Sequence, residues 1–467
     1  MAEYKLRKEL FYQGHSGGRS LEILLISAVT PASIFCVQAL ELACRKPWSL
    51  LAKFWLNLFI VVLPMHTSFV SPDLSIFLII TLLSISVVSL VFSGSRFRGS
   101  KAALEDIENS LNPARNPFLT AYRGTMMLAT CIAILAVDFD NFPRRLAKTE
   151  TYGVSLMDAG VGSVLLTQAM VSHLARNPSI PAGKRVLSAI FSSSPLLLIG
   201  GARLLGTRAA DYHEHASEYG VHWNFFFTLA IISIVASALP ISMWKSFVLS
   251  AFMTVLFEFF SVQYGLREYI LSHPRIDLLS ANREGIFGCI GYLTLFYSGS
   301  AIGAFIFRTK RSGRQWILFG WSMVAATAVL WVAVALLDAA GMRQSRRLVN
   351  ISYITWTVAY NMLILCLFLG AELALHALET PGGNTIALLR RRTAPAASCS
   401  DALSDSFNRN LLALFLAGNL LTGLVNLSLP TIDAPSPFAF AVVFTYAAGL
   451  LALALCLHGA GITLKFW

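Results

Sequence analysis

Windows of about twenty apolar residues recur along the whole chain, and that recurrence constrains its fold more than any other feature. Thirteen are readable, at roughly 23–42, 50–70, 73–93, 119–137, 153–175, 186–205, 223–243, 246–264, 285–307, 315–337, 351–377, 410–429 and 437–458. Hydrocarbon offers no water to backbone groups, so windows of this length must satisfy them internally, as helices. The pattern predicts an all-α polytopic membrane protein with about 13 transmembrane helices in one bundle. Charged residues make up 13% of the chain, against about 25% in a soluble domain, which excludes an ordinary soluble fold. The longest polar connections, 94–118 and 379–409, are loop-sized and carry Gly, Pro, Ser and Asn. Residues 1–467 therefore read as a single domain. The first apolar window is too long for a signal-peptide core and lacks a small-residue cleavage site, so it is expected to stay. No internal repeat is visible, which disfavours repeat-built transporters.

The net charge of +11 raises the question of a nucleic-acid partner. Its positives are scattered over short loops between spans, a pattern that positive-inside topology explains and a nucleic-acid surface does not. Thirteen spans place twenty Lys and Arg on one face and fifteen on the other. That balance puts the N-terminus on the lumenal side and the C-terminus in the cytosol, although the basic N-terminal segment argues the other way. The loops 138–152, 206–222 and 265–284 then share the lumenal side. All three are rich in charge where the topology least expects it, which points to a polar site. The sequon Asn350-Ile351-Ser352 falls on the same side, close to a span.

Between two apolar windows stands "VDFDNFPRRLAKTETYGVSLMDAG", residues 137–160, with Asp138, Asp140, Arg144, Arg145, Lys148 and Glu150. Pro143 breaks any continuous helix, so the segment reads as a hairpin or re-entrant turn able to bring Lys148 back toward Asp138. A carboxylate kept ionised beside an ammonium in a partly dry site suits a general base; from spacing alone, an interfacial salt bridge with snorkelling basic residues explains the segment better. Asp158 lies inside the next window among Gly153, Gly160 and Gly162, where a headgroup contact and a structural hydrogen bond stand level. Glu258 is similar, whereas Glu372 and Arg123 read as snorkelling residues. Asn419, Thr422, Gly423 and Asn426 form one helical stripe, either helix glue or the wall of a headgroup cavity. "DYHEHASEYGVHWNFF" gathers His213, His215 and His222 with Asp211, Glu214 and Glu218. An interfacial polar loop explains it better than zinc, and no metal is expected. Asn282 and Glu284 read as a helix start. "GHSGG", with Gly14, His15, Gly17 and Gly18, is either an anion nest or a flexible entry to the first span. The seven cysteines form no CxxC pair and mostly lie in apolar windows, as small buried hydrophobes do.

Taken in order, "YKLRKELFYQGHSGG", "VDFDNFPRRLAKTETYGVSLMDAGVGS", "EYGVHWNFFFTL", "NREGIFGCIGYLTLFYSG" and "GNLLTGLVNLS" resemble successive signatures of the GPI-anchored wall transfer protein family. Its animal members are called phosphatidylinositol-glycan class W. The resemblance runs from residue 4 to residue 428. It implies an endoplasmic-reticulum membrane enzyme of about thirteen spans. Such an enzyme transfers a fatty acyl group, usually palmitoyl, from acyl-CoA to the inositol 2-hydroxyl of glucosaminyl-phosphatidylinositol. The partners implied are that lipid, palmitoyl-CoA and membrane lipids, with no cofactor beyond acyl-CoA as co-substrate. The family's "VDFxxFPRRxAKxE" motif carries its catalytic Asp and Lys, which fall here on Asp138 and Lys148. "GHSGG" departs from the more usual Gly-His-Asn-Gly-Thr, and the role of that loop stays open.

On this reading Asp138 accepts the inositol hydroxyl proton, and Lys148 keeps it ionised or donates to the developing oxyanion. Arg144 and Arg145 are expected on the lipid phosphate, whose oxygens guanidinium forks match. His15, Asp158, His222 and Asn426 are the further headgroup candidates. Acyl-CoA is cytosolic while the site faces the lumen, so the pantetheine arm would have to enter the bundle from basic loops near Arg96–Lys101 or Arg308–Arg314. The competing class is a lipid flippase or secondary carrier coupled through Asp138, Asp158 and Glu258. An acyltransferase acting on a sugar amine or hydroxyl is a second enzymatic alternative.

Overall fold

The computed structural model describes residues 2–44, 48–111, 116–172, 181–209, 216–239, 243–307, 310–381, 383, 385–386 and 401–464. Among them, eleven helices are long and apolar enough to cross a bilayer, from Ser20–Cys44 to Ser436–Gly459. Among the described residues the only β-structure is a two-residue pairing of Arg96–Phe97 with Leu378–Glu379, plus one bridge between Gly18 and Val154. The architecture is the expected all-α bundle.

Two of the thirteen windows fold as shorter helices, Leu156–Met170 with 15 residues and Phe225–Ala238 with 14. At about 1.5 Å per residue they reach roughly 22 and 21 Å, short of the ~30 Å hydrocarbon core. Both begin late, at caps: the Ser155 hydroxyl accepts from Asp158 N, and the Asn224 side chain accepts from Phe226 N and Phe227 N. Neither reaches the length of a full span, so of the thirteen expected, eleven spans stand among the described residues.

The centre of the bundle is built from Ser20–Cys44, Pro117–Ala136, Arg283–Phe307 and Ile351–His376, each mostly buried, while Pro72–Phe92 and Leu411–Ser428 lie at the rim. Pro117–Ala136 carries the site loop at its end and packs on Leu156–Met170, Ile351–His376, Leu411–Ser428 and Ser436–Gly459. Arg283–Phe307 approaches Leu156–Met170 through Gly299 and Gly303. A side chain at either would overlap the carbonyl oxygens of Leu166 and Met170, the close packing that small residues at i and i+4 permit.

Candidate active site

The first turn of the 137–155 loop, residues 137–142, is held in shape by one side chain. Arg144 donates from Nη1 to Val137 O (3.0 Å), from Nη2 to Phe139 O (2.9 Å) and Phe142 O (2.8 Å), and from Nε to Phe142 O (3.0 Å). Its guanidinium carbon also sits 4.0 Å over the Phe11 ring. Pro143 ends the turn, a single 3-10 turn covers Arg144–Leu146, and the chain reverses. The expected hairpin is there, but Arg144 is its internal brace. Its donors go to carbonyls rather than toward a phosphate. Arg145 is likewise engaged, with Nε and Nη2 on the Glu22 carboxylate at 2.9 and 2.8 Å on the exposed rim.

Asp138, the first residue of interest, is buried at 6% exposure. Each carboxylate oxygen accepts one side-chain donor: Tyr12 Oη on Oδ1 and Asn426 Nδ2 on Oδ2, both at 2.5 Å. Lys8 Nζ donates to Asn426 Oδ1 at 2.7 Å, completing a line from ammonium through amide to carboxylate. Burial pushes the Asp138 pKa above the usual carboxylate range. The Tyr12 and Asn426 hydrogen bonds, then the charges of Lys8 and Lys148, pull it partly back. A carboxylate whose pKa is raised in a dry site holds a proton more tightly than a solvated one, which favours its use as a general base.

Lys148 does not bond Asp138. Its Nζ lies on both oxygens of Glu218, at 2.8 and 2.9 Å, and acts on Asp138 only through its charge. The hairpin thus brings the two residues to one site without pairing them.

Asp158 forms the floor beside them. Its Oδ1 accepts from Arg346 Nε at 2.7 Å, and its Oδ2 accepts from Thr149 N, Thr149 Oγ1 and Ser155 Oγ. The pair is 3% and 0% exposed. With both oxygens engaged, Asp158 pins the loop residue after Lys148 rather than facing a headgroup. Arg346 belongs to a strained segment: Val349, a β-branched residue, has φ 49°, a conformation costing on the order of 1–3 kcal/mol.

The "GHSGG" segment zips onto the same loop. Gly14 N donates to Glu150 Oε2 (2.8 Å), Glu150 N to His15 O (3.0 Å) and Gly18 N to Val154 O (2.8 Å). Gly17 and Gly153 hold φ of 81° and 119° where the strands cross, and a Cβ on either would strike the opposing carbonyl. Glu150 therefore has a defined role, and the segment is a splint. The His15 ring sits at 3.0 Å from Phe11 O.

His222 lies just before Phe225–Ala238, where its amide N donates to Asn282 Oδ1 at 2.8 Å. His213 and His215 lie outside the described residues, among which no group of three metal-ligating side chains occurs. Glu258 accepts from Arg267 and from Ile351 N, the first helical amide of Ile351–His376. The sequon residue Asn350 caps that helix: its Oδ1 accepts from Ser345 N and Tyr353 N, and its Nδ2 donates to Arg343 O. At 2% exposure its amide is unavailable for a glycan.

Tyr12, Lys8 and Arg346 are residues that spacing did not bring forward, and Glu218 came forward only in the His-rich segment weighed for zinc. Lys8 and Tyr12 stand at i and i+4, which places them on one face of the N-terminal helix Ala2–Phe11 and the turn after it. That signal was visible, though nothing local names its target.

A family model described as GWT1 matches residues 4–457. The chain belongs to the GWT1 family. It is 32% identical over 513 aligned positions to the phosphatidylinositol-glycan biosynthesis class W protein of Dictyostelium discoideum, covering 100% of this chain and 99% of that protein. It is 35% identical over 505 positions to GPI-anchored wall transfer protein 1 of Aspergillus fumigatus, covering 98% of each. It is 36% identical over 502 positions to the protein of that name in Emericella nidulans, covering 99% of each. The GWT1 match takes in Lys8, Tyr12, Asp138, Lys148, Glu218, Arg346 and Asn426 alike.

Proposed function

We propose that the protein works in GPI-anchor biosynthesis as a membrane-bound O-acyltransferase. It transfers a fatty acyl group, palmitoyl, from acyl-CoA to the inositol 2-hydroxyl of glucosaminyl-phosphatidylinositol. The observation that carries this reading is the buried Asp138, set among Tyr12, Asn426 and Lys8 with its pKa raised, in a chain matched end to end by proteins whose names refer to GPI.

Asp138 is the general base for the inositol hydroxyl. As the oxygen attacks the thioester carbonyl, negative charge builds on the carbonyl oxygen. Lys148, half-exposed and steadied by Glu218, is the cation for that charge. Arg144 shapes the loop that carries the base, Asn426 orients the carboxylate, and Asp158 with Arg346 fixes the loop beyond Lys148. The phosphate of the lipid is left to the solvent-facing rim, where Arg145 is the nearest cation of the motif. The site faces the lumen of the endoplasmic reticulum, with the N-terminus lumenal and the C-terminus cytosolic.

Purified protein mixed with palmitoyl-CoA and glucosaminyl-phosphatidylinositol tests this directly. The expected product is the lipid heavier by one palmitoyl on inositol, with one free CoA thiol released per turnover. A protein that binds both substrates and releases no CoA refutes the reading. Retention of CoA through purification favours it over a flippase or carrier.

A further inference from the structure

We infer that Tyr12 is a catalytic residue of the same reaction, its phenol relaying the substrate hydroxyl proton to Asp138. The inference rests on the acyltransfer reading above.

Asp138 is almost wholly buried, and a donor already occupies each of its oxygens. The donor on Oδ2 is a carboxamide, which does not pass protons at neutral pH. Its own oxygen is held by Lys8. The donor on Oδ1 is a phenol, and a hydroxyl both donates and accepts. Tyr12 is half-buried where Asp138 is closed off, so it spans from the buried base to the accessible rim. Its placement is built. The Phe11 ring, edge-on to Tyr12 at 5.6 Å, lies under the Arg144 guanidinium, and that guanidinium is tied to the loop bearing Asp138.

The step balances without any other reactant than the acyl thioester. The substrate O–H proton moves to Tyr12 Oη while the Tyr12 proton moves to Asp138 Oδ1. The substrate oxygen forms a bond to the acyl carbon, and the carbonyl pair shifts onto oxygen. When the tetrahedral adduct collapses, the C–S bond breaks and the thiolate leaves. The proton on Asp138 returns through Tyr12 to the thiolate, giving the CoA thiol, the ester and the starting carboxylate.

The test is the rate of acyl transfer in mixtures of H2O and D2O for wild type, Tyr12→Phe and Asp138→Asn, each checked for thermal unfolding. The relay predicts a curved dependence on deuterium fraction in the wild type, because two protons move together. Tyr12→Phe is expected to lose about 100-fold or more in kcat, within the range for acid–base groups, and to show a linear dependence. A linear dependence in the wild type, or a Tyr12→Phe enzyme with wild-type kcat, overturns the relay and leaves Tyr12 as a positioning residue. A wild type that fails to acylate, or an active Asp138→Asn, instead removes the reading on which the relay rests. Should Tyr12→Phe not fold, 3-fluorotyrosine at position 12 keeps the hydrogen bond. Its more acidic phenol is expected to move the alkaline limb of kcat to lower pH, and an unmoved limb overturns the relay.

Discussion

Replacing Asn426 by Leu removes one of the two donors on Asp138 while keeping the same branched side-chain shape. The Nδ2 bond to Oδ2 is a charge-assisted one, and such bonds are worth about 1.5–3 kcal/mol. Its loss costs the ionised carboxylate that energy and raises the Asp138 pKa further. Asn426→Leu also frees Lys8 from its 2.7 Å anchor, weakening a charge that now lowers that pKa. Both effects act in the same direction. The base is active only when deprotonated, so the acid limb of kcat/KM moves to higher pH, and kcat/KM on that limb falls by the roughly 10–100-fold to which such an energy corresponds. The plateau above it changes far less. The assay is acyl transfer across pH at low lipid substrate, where kcat/KM reports the free enzyme. A folded Asn426→Leu variant whose acid limb stays in place would refute the argument, since the titrating base would then not be Asp138.

The buried pair of Asp158 and Arg346 makes a stability prediction: Arg346→Met leaves an uncompensated buried carboxylate and costs about 3–5 kcal/mol, read as a fall in Tm. Adding Asp158→Asn to that variant recovers part of the loss. Arg144 and Arg145, adjacent in sequence, are expected to behave differently. Arg145→Ala breaks an exposed pair with Glu22 and costs about 0–1 kcal/mol, whereas Arg144→Ala strips four carbonyl contacts and lowers both Tm and turnover. Asn350 is expected to carry no glycan, so Asn350→Gln leaves the gel mobility of the expressed protein unchanged. Asn350→Ala costs about 1 kcal/mol as a lost helix cap.

The bundle was legible because hydropathy is a local quantity: eleven of the thirteen apolar windows form helices long enough to span, and the other two form shorter helices that begin at the Ser155 and Asn224 caps. The hairpin after Asp138 was legible for the same kind of reason, since Pro143 breaks a helix wherever it stands. Pairings were not. Lys148 takes Glu218, 70 residues away, and Asp138 takes Tyr12 and Asn426, at separations of 126 and 288. Spacing along one loop has no information about such partners. Arg144 shows the same limit from the other side. Its position beside Arg145 suggested a phosphate fork, but its charge neutralises the carbonyl dipoles of a turn forced by the proline before it. The one pattern that spacing did contain, Lys8 and Tyr12 on a common face, became meaningful only when the helix was seen to dock beside the carboxylate.

The central claim is that Asp138 takes the proton, and turnover of reconstituted Asp138→Asn beside the wild type tests it most directly. The account predicts a loss of about 10²–10⁴-fold in kcat with palmitoyl-CoA and glucosaminyl-phosphatidylinositol, at undiminished Tm and substrate binding. Turnover close to the wild-type rate in that folded variant would contradict it.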